Sequence, residues 1–249
     1  MRERGTLRSI SSGNMLDKEQ IRKNFSRSAR EYEKHAVLQK SMADDLLSLL
    51  PAIDPKKILD IGCGTGYLTG RLAEKFPAAE IVGIDIAPGM IEVAEKRKSD
   101  HLLFRVDDGE EVKGKNEYGL VVSNASLQWM EAPKVFAGVA GSLETGGIFA
   151  FTTFGPGTLI ELKGRGFRVN DFPATEELEK QLKQDFGNIS LSARTVRQTF
   201  KSIRDLVYHL KELGAQATDQ SNKVKFPSFK RQGEVMATFE QIFAIMCKL

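Results

Sequence analysis

The apolar positions of the chain change their period several times, and each change marks an element. Near the start Ile21, Phe25, Ala29 and Tyr32 recur at helical steps and share one face. Asp17, with Gln20 at the third helical position, resembles a capping box for that helix. Leu38, Met42, Leu46, Leu49 and Leu50 form the apolar stripe of a second helix over about 36–50, which Pro51 ends. The period then shortens. Apolar runs at 58–61, 80–85, 102–106, 118–124 and 148–153 predict strands, the last entered through a turn at Thr145, Gly146 and Gly147. An unbroken apolar run, as at 80–85, suits a strand covered on both faces. Helical patterns fall between the strands: one through about residue 76 with Leu68, Leu72 and Ala73 inward, one opening near Pro88, and one over 133–143. Alternating strands and helices predict an α/β fold with a parallel sheet.

Past residue 154 the pattern loosens. It predicts a short helical piece at 158–162, a loop over 164–172, an amphipathic helix over 174–186 and an alternating strand over 189–200. A helix capped by Ser202 carries Ile203, Leu206, Val207, Leu210 and Leu213, and Gly214 stops it. The stretch 234–246 is the last strand, bringing the expected count to about seven.

With 249 residues the chain can form one large α/β domain, or one domain with a small cap. Its 41% hydrophobic content supplies a sizeable core. A net charge of +3 is too small to argue for nucleic acid. Cys63 and Cys247 lie far apart and suggest neither a disulfide framework nor a metal site, which fits a reducing, cytoplasmic setting. No apolar run reaches the roughly 18 residues of a membrane span, so no membrane is expected as partner. Residues 1–14 are basic and polar, lack an apolar signal core and read as a disordered tail, with Met15 as an alternative start. The single domain is expected over 15–249, with cap elements at about 15–50 and 155–187. The sequence leaves the oligomeric state open.

The chemistry concentrates where the first strand meets its helix. Asp60 stands in the strand, and Gly62, Gly64 and Gly66 alternate through the turn behind it. A glycine turn at the carboxyl end of a parallel strand, feeding a helix N-terminus, is where open α/β sheets bind nucleotides. The spacing is not that of a dinucleotide fingerprint, so no pyrophosphate need be cradled. Asp85 closes the second strand about 20 residues later, where a carboxylate accepts hydrogen bonds from the hydroxyls of a ribose. It also stands where it could cap the helix opening near Pro88. The third strand runs into Asp107, Asp108 and Gly109, and the fourth delivers Asn124, Gln128 and Trp129 to the same edge of the sheet.

These motifs resemble those of class I methyltransferases, which bind S-adenosylmethionine. The resemblance implies a Rossmann-like doubly wound seven-stranded sheet, with N-terminal helices, a small cap, and a last strand inserted antiparallel. It implies that Asp60 faces the methionine end of the cofactor, that Asp85 with its neighbour Ile86 holds the ribose, and that Asp108, with Gly109, receives the adenine amino group. Gly62, Gly64, Gly66 and Asn124 complete the implied cofactor site. A narrower resemblance rests on Phe25, Ser26 and Arg27 with Tyr32; on His35, Ala36, Leu38 and Gln39; and on Phe151, Thr152 and Thr153 with Glu161 and Leu162. These pieces look like the malonyl-carrier-protein O-methyltransferases of biotin synthesis, although 164–168 is shorter than the family's corresponding stretch. That family methylates the free carboxylate of malonyl-acyl carrier protein, or of malonyl-CoA.

A carboxylic acid titrates near pH 4, so such an acceptor is already ionised and needs no general base. None is assigned here: His35, His101 and His209 are scattered in sequence and read as structural. Such chemistry calls for a dry cap with one or two orienting donors. Tyr32, Gln128 and Trp129 are expected as parts of it, with Arg27 either a carboxylate anchor, its planar fork suiting a carboxylate, or a solvated helix charge. Arg194, Arg197, Lys201 and Arg204, then Lys223, Lys225, Lys230 and Arg231, are candidates for docking an acidic carrier protein. The stretch from Asn124 to Trp129 is also similar to trans-aconitate methyltransferases, which keeps another small-molecule carboxyl methyltransferase open. A quinone C-methyltransferase or a non-catalytic protein that binds S-adenosylmethionine also remains open.

Overall fold

A computed structural model of the chain describes residues 17–167, 169–215 and 233–249. The expected tail at 1–14 lies outside them. Seven strands, β1 (Lys57–Ile61), β2 (Glu80–Asp85), β3 (Leu102–Val106), β4 (Tyr118–Asn124), β5 (Leu143–Phe154), β6 (Phe186–Phe200) and β7 (Val235–Lys248), form one sheet in the order β3-β2-β1-β4-β5-β7-β6. Strands β1 to β5 are parallel, and β7 enters antiparallel between β5 and β6. The chain winds outward from β1 in one direction to β3, then restarts beside β1 with β4. That reversal opens a crevice at the carboxyl ends of β1 and β4.

Eight helices accompany the sheet among the described residues: α1 (Lys18–His35), α2 (Val37–Leu49), α3 (Tyr67–Lys75), α4 (Pro88–Ala94), α5 (Ala132–Ser142), α6 (Ile160–Lys163), α7 (Thr175–Leu182) and α8 (Ile203–Glu212). Alternation along β1 separates two cores. Ile58 packs with Leu46 of α2 and Leu72 of α3 on one face, while Leu59 and Ile61 pack with Phe136 of α5 and Phe149 on the other. Burying one such side chain stabilises by about 1.5–3 kcal/mol. A single helix cap is worth about 1 kcal/mol. Packing therefore decides where the helices lie, and caps such as Asp17, which accepts from the Gln20 amide, only set their starts.

Tertiary pairing moved two expected boundaries, and one residue expected in the core is exposed. The helix expected over 174–186 stops at Leu182, because Phe186 already pairs with Lys248 in the sheet and buries its ring in the core. The turn expected before the fifth strand lies inside β5: Tyr118 pairs with Leu143 and Leu120 with Ile148, so the intervening residues form an irregularity centred on Gly146, at φ 75°. Leu49, expected in the buried stripe of α2, is 49% exposed. The backbone turns extended at Leu50, which buries itself in place of Leu49, while Ala43 and Leu47 join the stripe. No helix among the described residues is long and apolar enough to cross a membrane.

Candidate functional site

A cleft of about 630 Å³ opens at the carboxyl ends of β1, β2 and β4. Its floor is the turn after β1, held to the neighbouring strand by the Gly62 and Cys63 amides, which donate to Ile84 O at 2.8 and 2.9 Å. Gly62 has φ 69°, and a Cβ there would stand 1.8 Å from Ser126 Oγ, so no larger residue fits. Gly64 has φ 55° and open space on its Cβ side, and its amide donates to Asp85 Oδ2 at 2.9 Å. Asp85 Oδ1 accepts from the Ala87 amide at 2.8 Å, at the start of α4. That hydrogen bond ties Asp85 to Ala87, the N-cap residue of α4, while Asp85 itself is not the cap. A carboxylate has about four lone-pair sites. Two are used by the backbone, and the side chain still lines the cleft. Burial pushes its pKa up to about 6, against the two amides that favour the charged form.

Asp60 is buried at the back of the turn and accepts from Thr69 Oγ1 at 2.7 Å. Burial pushes it up to about 7, the Thr69 hydrogen bond opposing that rise. It lines a smaller recess of about 410 Å³ behind the turn, shared with Tyr32, Gln39, Gly62, Gly64 and Asn124. Asp108 and Gly109 wall the far end of the main cleft, beside Ile86. Lys18 Nζ reaches both Asp108 and Glu110 at 2.7 Å, tying the start of α1 to this acidic corner. Asn124 is engaged at both ends of its amide: Nδ2 donates to Gln39 O at 3.0 Å and Oδ1 accepts from Thr152 Oγ1 at 2.7 Å. Beyond it Ala125 takes φ 48°, a left-handed bend that turns the segment carrying Gln128 and Trp129 across the cleft.

A second cavity of about 840 Å³ adjoins the first. Phe25, Tyr32, Ala125 and Trp129 line both, and the Phe25 and Trp129 rings meet edge to face at 5.5 Å. Its walls are largely apolar, among them Leu38 of α2, Phe154, Leu162, Phe172, Leu210 of α8 and Phe239 of β7. Gln39, Gln128, Asn170, Gln198 and His209 place polar groups there, and no Lys or Arg among the described residues lines it. Gln128 donates to Ala125 O at 2.7 Å and accepts from Thr153 Oγ1 at 3.4 Å. Burial and the nearby Asp85 raise the Tyr32 pKa, so its hydroxyl is a neutral donor.

The structure thus gathers Gly62, Gly64, Asp85, Ile86, Asp108, Gly109, Asn124, Tyr32, Gln128 and Trp129 around two joined cavities, and Asp60 on the recess behind the turn. Gly66 lines neither; it starts α3 at φ 80° against the Phe104 ring. Arg27 is exposed and lines neither. The expected cap stretch 155–187 divides. Its first part walls the second cavity, whereas α7 packs Leu178 and Leu182 into the main core. Of the scattered histidines, His35 and His209 meet with ring centroids 5.6 Å apart, and His209 faces the second cavity. Burial, then the neighbouring His35, lowers the His209 pKa. Lys18, Met90, Glu110, Ser126 and Met130 also line the cleft. Ser126 and Met130 share the post-strand segment with Trp129, but nothing in the sequence pattern singles out Lys18.

The docking candidates also separate. Arg194 is held by Asp45 and by Gln241 Oε1 at 2.7 Å, with its guanidinium 4.9 Å above the Phe243 ring. Arg197, Lys201 and Arg204 are exposed around the junction of β6 and α8. Lys223, Lys225, Lys230 and Arg231 lie outside the described residues.

The cleft suits S-adenosylmethionine on its own terms. The unfilled Cβ side of Gly64, the two remaining acceptor sites of Asp85 and the apolar flanks of Ile86 and Met90 match a turn, a ribose and a purine. Comparison with known proteins agrees. Residues 54–240 match a family model described as a methyltransferase domain. The chain is 34% identical to the malonyl-[acyl-carrier protein] O-methyltransferase of Acetivibrio thermocellus, over 93% of this chain and 89% of that one. It is likewise 34% identical to the protein of the same name from Anoxybacillus flavithermus, over 92% of this chain and 97% of that one. Among solved structures, it is similar to a SAM-dependent methyltransferase of Thermotoga maritima, with TM-score 0.56, 19% identity and coverage of 90% and 98%. It is also similar to the Haemonchus contortus phosphoethanolamine N-methyltransferase 2 bound to S-adenosylhomocysteine, with TM-score 0.54, 18% identity and coverage of 82% and 52%. At such identities the structural likeness speaks for the fold.

Proposed function

The chain belongs to the malonyl-[acyl-carrier protein] O-methyltransferase family, and on that premise we propose that it methylates the free carboxylate of a malonyl thioester carried on acyl carrier protein. It is an S-adenosylmethionine-dependent methyltransferase. When bound, the cofactor supplies a methyl group on a positively charged sulfur. Asp85 would hold the ribose hydroxyls, Gly62 and Gly64 would let the backbone close on the ligand, and Asp108 would receive the adenine amino group.

One observation carries the choice of acceptor: the second cavity is apolar, meets the cofactor cleft at Tyr32 and Trp129, and has no cationic side chain among its described lining. A malonyl thioester brings one carboxylate and one uncharged end, which such a wall can accept. A tricarboxylate such as trans-aconitate would leave several charges unpaired there, at a cost of several kcal/mol each. The chain contributes desolvation and alignment. Apolar walls strip water from the carboxylate, and the Phe25–Trp129 pair and Tyr32 narrow the passage where acceptor and cofactor meet. The acceptor carboxylate is already ionised, so neither Tyr32, whose hydroxyl pKa is raised, nor His209, whose pKa is lowered, is needed as a base.

The exposed Arg197, Lys201 and Arg204 would meet the acidic carrier near the cavity. The methyl ester product would leave as a disguised primer for pimeloyl synthesis toward biotin. The test is transfer of labelled methyl to malonyl carrier protein, malonyl-CoA and trans-aconitate in parallel. Turnover of the malonyl thioesters is expected, with the carrier protein preferred. Transfer to trans-aconitate alone would reject the reading, as would cofactor binding without any product.

A further inference from the structure

We propose that Gln39 positions the acceptor, its side-chain amide donating a hydrogen bond to the carboxylate that receives the methyl group. The proposal rests on the acceptor reading above and names the group that performs the recognition.

Two observations carry it. Among the described residues, two buried side-chain polar atoms lack any partner, Gln39 Oε1 and Gln241 Nε2. The Gln241 amide is already held at its other end by Arg194 and lines neither cavity. Gln39 has no such tether on its side chain, yet its backbone is pinned, because its carbonyl accepts from Asn124 Nδ2 at 3.0 Å. A buried side-chain oxygen without a partner destabilises the free protein, and a ligand that enters beside it is one way to complete the amide. The second observation is place. Gln39 and Tyr32 line both the acceptor cavity and the recess behind the glycine turn. Gln39 therefore stands between the second cavity and the recess that holds Asp60 behind the glycine turn.

The chemistry selects the amide's role. A carboxylate only accepts hydrogen bonds, and a half-turn of the glutamine's last bond exchanges its oxygen for its two N–H donors. A neutral donor also suits this reaction better than a cation. Charge is annihilated as the carboxylate takes the methyl group, so a cationic anchor would hold the starting carboxylate more tightly than the transition state and slow the step. An amide orients the oxygen while leaving its negative charge unneutralised.

The test uses the full chain with Gln39→Leu and Gln39→Glu. It measures kcat/KM for malonyl carrier protein, calorimetric affinity for S-adenosylhomocysteine, and Tm. Gln39→Leu should lower kcat/KM by about 10-fold or more. Its affinity for S-adenosylhomocysteine should be unchanged, and its Tm unchanged or raised because the orphan amide is gone. Gln39→Glu should be worse than Gln39→Leu, since a like charge faces the acceptor. Unaltered kcat/KM in both variants would overturn the proposal. So would a parallel loss of S-adenosylhomocysteine affinity, which would give Gln39 to the cofactor, or a fall in Tm that accounts for the lost activity. Wild-type turnover is measured first. If malonyl carrier protein is not methylated at all, the acceptor reading fails and Gln39 with it; if the wild type turns over and Gln39→Leu matches it, the Gln39 role alone fails.

Discussion

The two joined cavities are built on opposite plans. The cofactor cleft is made of backbone turns and carboxylates that follow the ends of β1 to β4, and its polar groups are already paired, Asp85 with Gly64 and Ala87, Asn124 with Gln39 and Thr152. The acceptor cavity is made of side chains from α2, the segment after β5, β6, α8 and β7, and its walls are mostly apolar. On the proposed reading one region would grip its ligand through a few directed hydrogen bonds. The other would select by shape and dryness, with the Gln39 amide as its one directed contact. Substitutions should accordingly act sharply and separately on the first, and diffusely on the second.

The largest effect is expected in the acceptor cavity. Phe154 is buried and packs its ring against Phe172 and Phe239, so Phe154→Ala should cost about 3–5 kcal/mol of stability, read in denaturant unfolding. It should also lower acceptor kcat/KM while leaving S-adenosylhomocysteine affinity in the surviving folded protein unaltered. Equal losses in both would show that the two regions are one. Gly62→Ala comes next. It forces a Cβ onto Ser126 Oγ and a non-glycine residue to φ 69°, with strain of about 1–3 kcal/mol. Calorimetry should show cofactor affinity falling at least 10-fold, on the same energy scale.

Asp85→Asn removes a charged acceptor and should weaken S-adenosylhomocysteine by roughly 1–3 kcal/mol. In the wild type that affinity should fall as pH drops through about 6, where Asp85 takes up its proton, and Asp85→Asn should flatten the profile. Stability should move oppositely. Asp85 at about 6 and Asp60 at about 7 both lie above the ordinary 3.8, so the folded chain holds these protons more tightly than the unfolded one. Their contribution is complete below about pH 4 and is lost as pH rises through 6 to 7. Melting curves across that window check the sign. The smallest effect is expected for Arg27→Ala. The side chain is exposed and touches neither cavity, so stability should stay within about 0.5 kcal/mol and acceptor kinetics should not change. A raised acceptor KM would restore Arg27 to the site.

The contrast between the cavities also explains what could be read in advance. The positive φ of Gly62 and Gly64 and the place of Asp85 at a strand end were legible because each is set by a few neighbouring residues. Gly66 shared the motif, and only its contact with Phe104 shows that it serves the start of α3. Arg27 had the right chemistry on a helix whose rotation places it in solvent. His209 and His35 looked unrelated until α8 folded back beside α1.

Taken alone, the sequence determined the alternation of strands and helices, the parallel sheet and the glycine-rich turn after β1, since hydrophobic period and backbone preference act over a few residues at a time. The tertiary structure decided the acceptor cavity, the partnerless amide of Gln39 and the division of the expected cap. The cavity depends on β7 inserting between β5 and β6, which sets Phe239 in one cluster with Leu38 across most of the chain's length. Contacts of that range arise from closing the sheet, and no local pattern encodes them.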